Sequence, residues 1–473
     1  MKTKISTLPL SLVLLAGGCT VGPDYHAPAL NAPTQWSEPL AGGENAREVS
    51  IATWWKNFND PELNSLVERA VAANLDLQIA AARVRETRAQ AGEAEANLGP
   101  TVDGTAGAQR QGASRNQPVL GSLPIPSSVP FVNNVYQAGF DASWELDVFG
   151  GNRRAVEGAQ ANVAAAEFNR RDVQVTLVAE VARNYLAVRG YQQRLAIAQQ
   201  NLTAQKDSLS IAQERSKKGI SSDLDVQQAA TVLAQTQAQV PTLENGLQVS
   251  IHRLGVLLGK PPGALLGELA ATAPIPATPP EVPVGLPSTL LLRRPDVRAA
   301  EAKLAAATAN IGVATADLFP KFSLTGAVGF ESVSTSDWFT PASKFWSLGP
   351  TVQWRIFDAD RIRANIRVQD ARQEQALATY EKAVLTSFED VENALVAYAK
   401  EQVRHQSLAQ AVSTSQDALS LSNQLYANGL TSFINVLDAE RTLYQTQDDL
   451  VQSDQAVSQN LIATYKALGG GWE

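Results

Sequence analysis

The sequence predicts a mixed α and β chain, internally duplicated, in which long helices are joined to pairs of membrane-type strands. The first supporting observation is a repeat. Asp76, Leu98 and Pro100 recur as Asp296, Leu318 and Pro320, 220 residues on. Trp144, Val181, Gly219, Val226, Leu233, Gln235 and Gly259 recur as Trp354, Val391, Gly429, Val436, Leu443, Gln445 and Gly469, 210 residues on. The ten-residue difference implies a shorter insertion between the two strands of the second copy. Solenoid repeats have periods of about 20 to 50 residues, so this unit is a duplicated domain. The other two observations are helical stretches free of breakers and strands that alternate strictly in polarity.

Lys2 and Lys4 precede the apolar run Leu8–Leu15 and then Ala16-Gly17-Gly18-Cys19. That order predicts a cleaved secretory signal over 1–18, too short to span a bilayer as a helix. Cys19 is the single cysteine among 473 residues, so no intramolecular disulfide can form. Removing Lys2 and Lys4 leaves 37 basic residues against 47 acidic ones. A chain this acidic lacks the clustered Lys and Arg of nucleic-acid binding. After the signal no apolar run is long enough for a transmembrane helix, so any span must be built from strands.

Residues 19–61 read as an N-terminal arm rich in Pro, Gly and Ala. The first repeat occupies 62–259. It opens with a helix over Glu62–Leu98, apolar on one face at Leu63, Leu66, Val67, Ala70 and Val71, and stopped by Gly99-Pro100. After two strands, Asn152–Lys218 has no Pro and two Gly in 67 residues, a helix of about 100 Å. Gly219 breaks it, and a second helix runs over Ser222–Leu258, with a kink or interruption expected at Pro241. Residues 260–287 hold eight prolines and read as a linker. The second repeat, 288–468, predicts helices at Pro295–Leu318, Asp360–Asn428 and Ser432–Leu468, and 469–473 form a tail. The helices are rich in Ala, Gln, Thr and Asn with narrow apolar seams, which suits coiled-coil contact.

The strands alternate with period two. In Tyr136–Leu146 the apolar face is Tyr136, Ala138, Phe140, Ala142, Trp144 and Leu146, and the other face carries Gln137, Asp141, Ser143 and Glu145. In the second copy Phe322, Leu324, Gly326, Val328 and Phe330 share one face, as do Trp346, Leu348, Pro350, Val352, Trp354 and Ile356. Val102, Gly104, Ala106 and Ala108 form a weaker first strand. Trp144, Trp346 and Trp354 are placed as membrane-interface aromatics. A soluble sandwich with one buried face has the same period, and the secretory context favours the membrane reading. Four strands cannot close a barrel, so several chains must pool theirs; counting alone does not choose between dimer and trimer.

The stretches Cys19–Tyr25, Ser143–Gly150 (SWELDVFG), Leu286–Leu304, Leu318–Gly326 (LFPKFSLTG) and Tyr426–Arg441 resemble the outer membrane factor family, the nodulation-protein-T type efflux lipoproteins. The resemblance implies a homotrimer: a transmembrane β-barrel, four strands per chain, continued by a long α-helical barrel across the periplasm. It implies an efflux duct in the outer membrane, partnered by a periplasmic adaptor and an inner-membrane pump of the resistance–nodulation–division class, with no cofactor. It also implies acylation of Cys19 and a periplasmic gate at the helix tips, Gly219 and Gly429. There Tyr426 matches a gating tyrosine, Asp225 its acidic partner, and Asp438 a pore-narrowing acid. Asn435 and Thr431 stand where other members carry an acid and an arginine, so the constriction should carry less charge.

Two rival readings compete with the channel. An enzyme lacks support: His26, His252 and His405 are scattered, and no phosphate loop, metal spacing or nucleophile elbow occurs. A periplasmic coiled-coil scaffold would not need the alternating strands. Within the channel reading, protein secretion remains the alternative cargo, because cargo is chosen by a pump on another chain.

Overall fold

The two copies fold as the same series of elements, and the long helices match in length. The computed structural model describes residues 20–29, 33–37, 44–45, 51–112, 114, 132–278, 282–285 and 287–472. Cys19 and most of the 112–134 insertion lie outside the described residues. The first copy comprises helices α1 (Pro61–Ala73) and α2 (Leu75–Ala96), strands β1 (Thr101–Gly112) and β2 (Val132–Leu146), then α3 (Gly151–Lys217) and α4 (Asp223–Leu257). The second comprises α5 (Pro287–Arg293), α6 (Pro295–Ala316), β3 (Lys321–Ser332), β4 (Lys344–Gln353), α7 (Arg361–Ala427) and α8 (Phe433–Ala467). The long helices α3 and α7 are each 67 residues, and α4 and α8 are each 35. Equal lengths are what a duplication requires if the copies must be interchangeable staves.

The chain divides into two compact units. The first draws on Met1–Pro28, Arg85–Ala165 and Glu301–Thr379, and it contains the sheet. Its order is β1-β2-β3-β4, antiparallel throughout, so the second strand of one copy pairs with the first strand of the other. The register is decisive for the faces. Gly104 opposes Phe140, Phe140 opposes Val328, and Val328 opposes Trp346. One apolar face therefore runs unbroken across all four strands. Its side chains are exposed: Phe140, Val328, Trp346, Leu348 and Val352 are each more than half accessible. On the opposite face Asp103 opposes Asp141, and Thr105 donates to the Asp141 carboxylate at 3.0 Å.

Aromatics mark both ends of this face. At the loop end Tyr136, Trp338, Phe339 and Phe330 form a chain of ring contacts 4.8–5.6 Å apart. At the helix end the indole of Trp144 donates to the Leu98 carbonyl at 2.9 Å, and that of Trp354 to the Leu318 carbonyl at 3.1 Å. The same bond occurs in both copies. Tyr136 and Trp144 are eight residues apart, ~26 Å along a strand, comparable with the apolar band of an outer-membrane barrel. The N-terminal segment is tied to this end. Val21 donates to the Phe149 carbonyl, and buried Arg154 bonds the Val21 carbonyl and the Asp24 carboxylate, at 2.6 Å for the latter.

The second unit draws on Ala29–Val84, Ala166–Ala300 and Tyr380–Glu473 and holds the largest core. Trp54, Leu63, Leu66, Val178, Val181, Leu186, Leu254, Leu461 and Tyr465 are among its fully buried members, with Trp54 stacked on Tyr465 at 5.2 Å. Arg294 lies buried here, forking onto Asp296 and reaching Asp390 and the Ala467 carbonyl. Part of the proline-rich segment joins the core through Leu265 and Leu269. Among the described residues no helix is long and apolar enough to cross a membrane.

Three expectations are corrected. The helix expected over Glu62–Leu98 is broken at Asn74, whose extended backbone and buried amide cap α2 by accepting from Leu77 N at 3.0 Å while donating to the Leu257 carbonyl at 2.9 Å. Of the kink or interruption expected at Pro241, the interruption does not occur, because α4 runs through it. The carbonyl it frees, that of Gln237, belongs to an exposed residue that water can reach. The last strand stops at Gln353 rather than Ile356, because its partner strand begins opposite it at Lys321, after Pro320. Replacing Asn74 by Ala removes a cap and strands the buried Leu257 carbonyl, so a loss of about 1–3 kcal/mol is expected in thermal or denaturant unfolding.

Candidate functional site

The two helical hairpins of the second unit turn at Gly219 and Gly429 with the same geometry. Gly219 has φ +70° and Gly429 φ +71°. At each turn the amide after the glycine bonds back to the helix: Ile220 N to Arg215 O and Leu430 N to Leu425 O, both at 2.9 Å. This is the glycine-stopped helix end in which a left-handed residue satisfies the last carbonyls. A Cβ at either glycine would meet open space, so conformation rather than crowding demands glycine there.

The returning helices start on Ser222 and Ser432. Asp225 closes a capping box by accepting from Ser222 N at 3.4 Å. Its counterpart, Asn435, instead donates to the Thr431 hydroxyl at 2.7 Å. Asp438 is exposed and ion-paired within its own helix to Arg441. Its charge is thus largely balanced locally.

Beneath the turns the hairpins pack on one another. Ala212, Ala229, Phe433, Val436 and Leu437 are buried, with Leu209, Val226, Leu419 and Tyr426 against them. The Tyr426 ring contacts that of Phe433 at 5.1 Å, and the Arg215 guanidinium lies 4.5 Å over the Tyr426 ring. Among the described residues, neither the Tyr426 hydroxyl nor Arg215 Nε has a hydrogen-bond partner, although both atoms are buried. Burial raises the Tyr426 pKa; the Arg215 charge opposes this and Asp225 adds to it, so the phenol stays neutral. The structure brings Tyr426, Asp225 and the tip glycines into one region, and among the described residues Tyr426 makes no hydrogen bond to Asp225.

Above the tips α3 and α8 are joined by polar bonds. Arg194 forks onto Asp448 at 2.6 and 3.0 Å, Asn201 donates to Gln447, and Ser208 donates to Glu440. Tyr444 adds a bond to Gln239 of α4 at 2.6 Å. Sequence reading missed Arg215, Phe433 and Glu440. A signal was available for Arg215: its counterpart is Leu425, and that of Tyr426 is Ser216, so the copies diverge in the last turn of their long helices.

A sheet with a continuous exposed apolar face, built into a chain of duplicated helical hairpins, defines a channel subunit of the outer membrane. The model of the outer membrane efflux protein family matches twice, at residues 66–260 and 286–470. The solvent efflux pump outer membrane protein SrpC of Pseudomonas putida is 35% identical over 476 residues, covering 99% of both chains. The pyoverdine export outer membrane protein OpmQ of Pseudomonas aeruginosa is 37% identical over 467 residues, 98% of this chain and 96% of that one. The solved outer-membrane channel OprN superposes with a TM-score of 0.89 at 37% identity, covering 96% of this chain and all of that one. The chain belongs to the outer membrane efflux protein family.

Burial raises the pKa of Glu440, against the opposing bond from Ser208. The folded chain then holds this proton more tightly than the unfolded one. The associated stability is present at low pH and is lost as pH rises through the folded value. Glu440→Gln removes this titration, so the melting temperature of the purified protein should fall less in the variant than in the wild type as pH rises above the ordinary carboxylate range.

Proposed function

We propose that three copies close a twelve-stranded barrel in the outer membrane, continued by an α-helical barrel. In this reading the assembly is the passive exit duct of a tripartite efflux system, and no catalytic step is assigned to it. The observation that carries the reading is the sheet. Its apolar face suits lipid, yet among the described residues the outer edges of β1 and β4 pair with nothing. Unpaired edges in hydrocarbon cost several kcal/mol per group, so the sheet demands neighbouring copies. β1 and β4 run in opposite directions, which lets the fourth strand of one copy continue antiparallel onto the first of the next. Cysteines placed along β1 and β4 should crosslink in membranes to a ladder that ends at three chains. A ladder ending at two, or a soluble monomer, would overturn the trimeric barrel.

The reading assigns the gate to the hairpin tips, with Tyr426, Asp225, Asn435 and Asp438 narrowing the pore. Threefold symmetry would converge three copies of each residue on the axis. Asp438 already pairs with Arg441, which supports a constriction of modest charge. Trp144, Trp346 and Trp354 are assigned to the lipid-facing surface, the first and last at the helix-side interface. Cys19, outside the described residues, is assigned as the acylated anchor. Thr20 packs against Gly150 beside the strand ends, which supports an anchor on that side. SrpC is named for solvents and OpmQ for pyoverdine, so small molecules rather than proteins are the assigned cargo.

Docking of a periplasmic adaptor, itself bound to an inner-membrane pump of the resistance–nodulation–division class, is assigned to the tips. Apolar side chains protrude there in duplicate: Ile220 (61% exposed) and Leu224 in the first hairpin, Leu430 (73% exposed) and Ile434 in the second. Exposed apolar groups at matched positions mark a contact surface. Ile220→Asp with Leu430→Asp should leave the oligomer assembled while abolishing co-purification of the adaptor and export. Unimpaired adaptor binding would remove the tips from the docking surface.

A further inference from the structure

We propose that Arg215 is a positioning residue of the gate, holding Tyr426 closed through the face of its ring rather than through its hydroxyl. The inference rests on the tips being the gate. Arg215 belongs to the last turn of α3 and Tyr426 to the last turn of α7, so their contact ties one hairpin of the chain to the other. The guanidinium lies 4.5 Å from the ring centroid, within cation–π range, and Phe433 backs the ring at 5.1 Å.

The hydroxyl contributes no bond. Tyr426 Oη is buried without a partner among the described residues, and so is Arg215 Nε. Asp225, the acid closest in role to a hydroxyl acceptor, bonds the Ser222 amide instead. A buried polar atom without a partner favours any state that wets it. Separating the hairpins forfeits the stack but lets both atoms bond water, so the two effects oppose each other. The clamp is therefore shallow, as a contact released by a docking partner must be.

This gives the hydroxyl and the ring opposite roles. Removing the hydroxyl relieves an unsatisfied buried group and keeps the stack, so Tyr426→Phe closes the gate at least as firmly as the wild type. A hydrogen-bonded latch would behave the other way. Removing the ring or the cation releases the clamp.

The test is single-channel conductance of the full-length protein in planar bilayers, with assembly checked on unheated gels. Tyr426→Leu and Arg215→Gln should each raise the open fraction roughly tenfold, the scale of a partly desolvated cation–π contact. Arg215→Lys should recover part of the closure, since it keeps the charge without the planar stack. Tyr426→Phe should conduct no more than the wild type. The clamp is overturned if Tyr426→Phe opens like Tyr426→Leu, or if Arg215→Gln gates like the wild type while Tyr426→Leu opens. Should Arg215→Gln not assemble, the Phe and Leu variants decide alone. If Tyr426→Leu also leaves gating unchanged, the tips are not the gate, which is a separate failure.

Discussion

A four-stranded sheet with an apolar outer face and two open edges cannot rest in lipid by itself. Hydrocarbon offers no water to pair the edge amides and carbonyls, so each edge group carries a penalty until another strand meets it. Every larger feature of the chain follows from that constraint. The strands must be shared among copies, the copies must be related by closed symmetry, and each must present compatible edges at β1 and β4. The helices then inherit the same symmetry, because α3 and α7 begin within a few residues of the ends of β2 and β4.

The duplication meets this geometry economically. Both copies supply a strand pair, a 67-residue helix and a 35-residue return, so the staves match in length. Even the indole-to-carbonyl bond at the strand ends is repeated, by Trp144 on Leu98 and Trp354 on Leu318. Parts that bear the common architecture are kept alike. Some of the parts that differ sit at the tips: Arg215 faces a tyrosine that the first copy lacks, and Asp225 caps a helix where the second copy has Asn435. Matched staves suit a continuous wall, and the proposed gate falls where the copies are unequal.

Much of this was legible in the sequence because it depends on local rules. Glycine stops, breaker-free runs and period-two alternation each act over a few residues, and all the main helices and strands follow from them. The errors lie where a distant residue decides. Asn74 reads as an ordinary helix position until the Leu257 carbonyl, 183 residues away, takes its amide. The alternation reads on to Ile356, yet the ladder ends at Gln353, where the partner strand starts at Lys321. The proline-rich segment reads as a linker or equatorial segment between the copies, and its Leu265 and Leu269 also enter the main core, which its composition does not show. Of the tip residues, the glycines were legible from conformation alone, whereas the pairing of Asp438 with Arg441 needed side-chain geometry.

The sequence by itself determined the duplication, the element types and the faces of the strands. These are set by spacing and periodicity, which a linear chain displays openly. The tertiary structure alone decided which groups are satisfied. It tied the first copy's strand to the second's and buried Arg294 among two carboxylates. It also placed Arg215 over Tyr426 while leaving the tyrosine hydroxyl unbonded. Whether a polar atom finds a partner depends on elements brought together from far along the chain, and no local pattern records it.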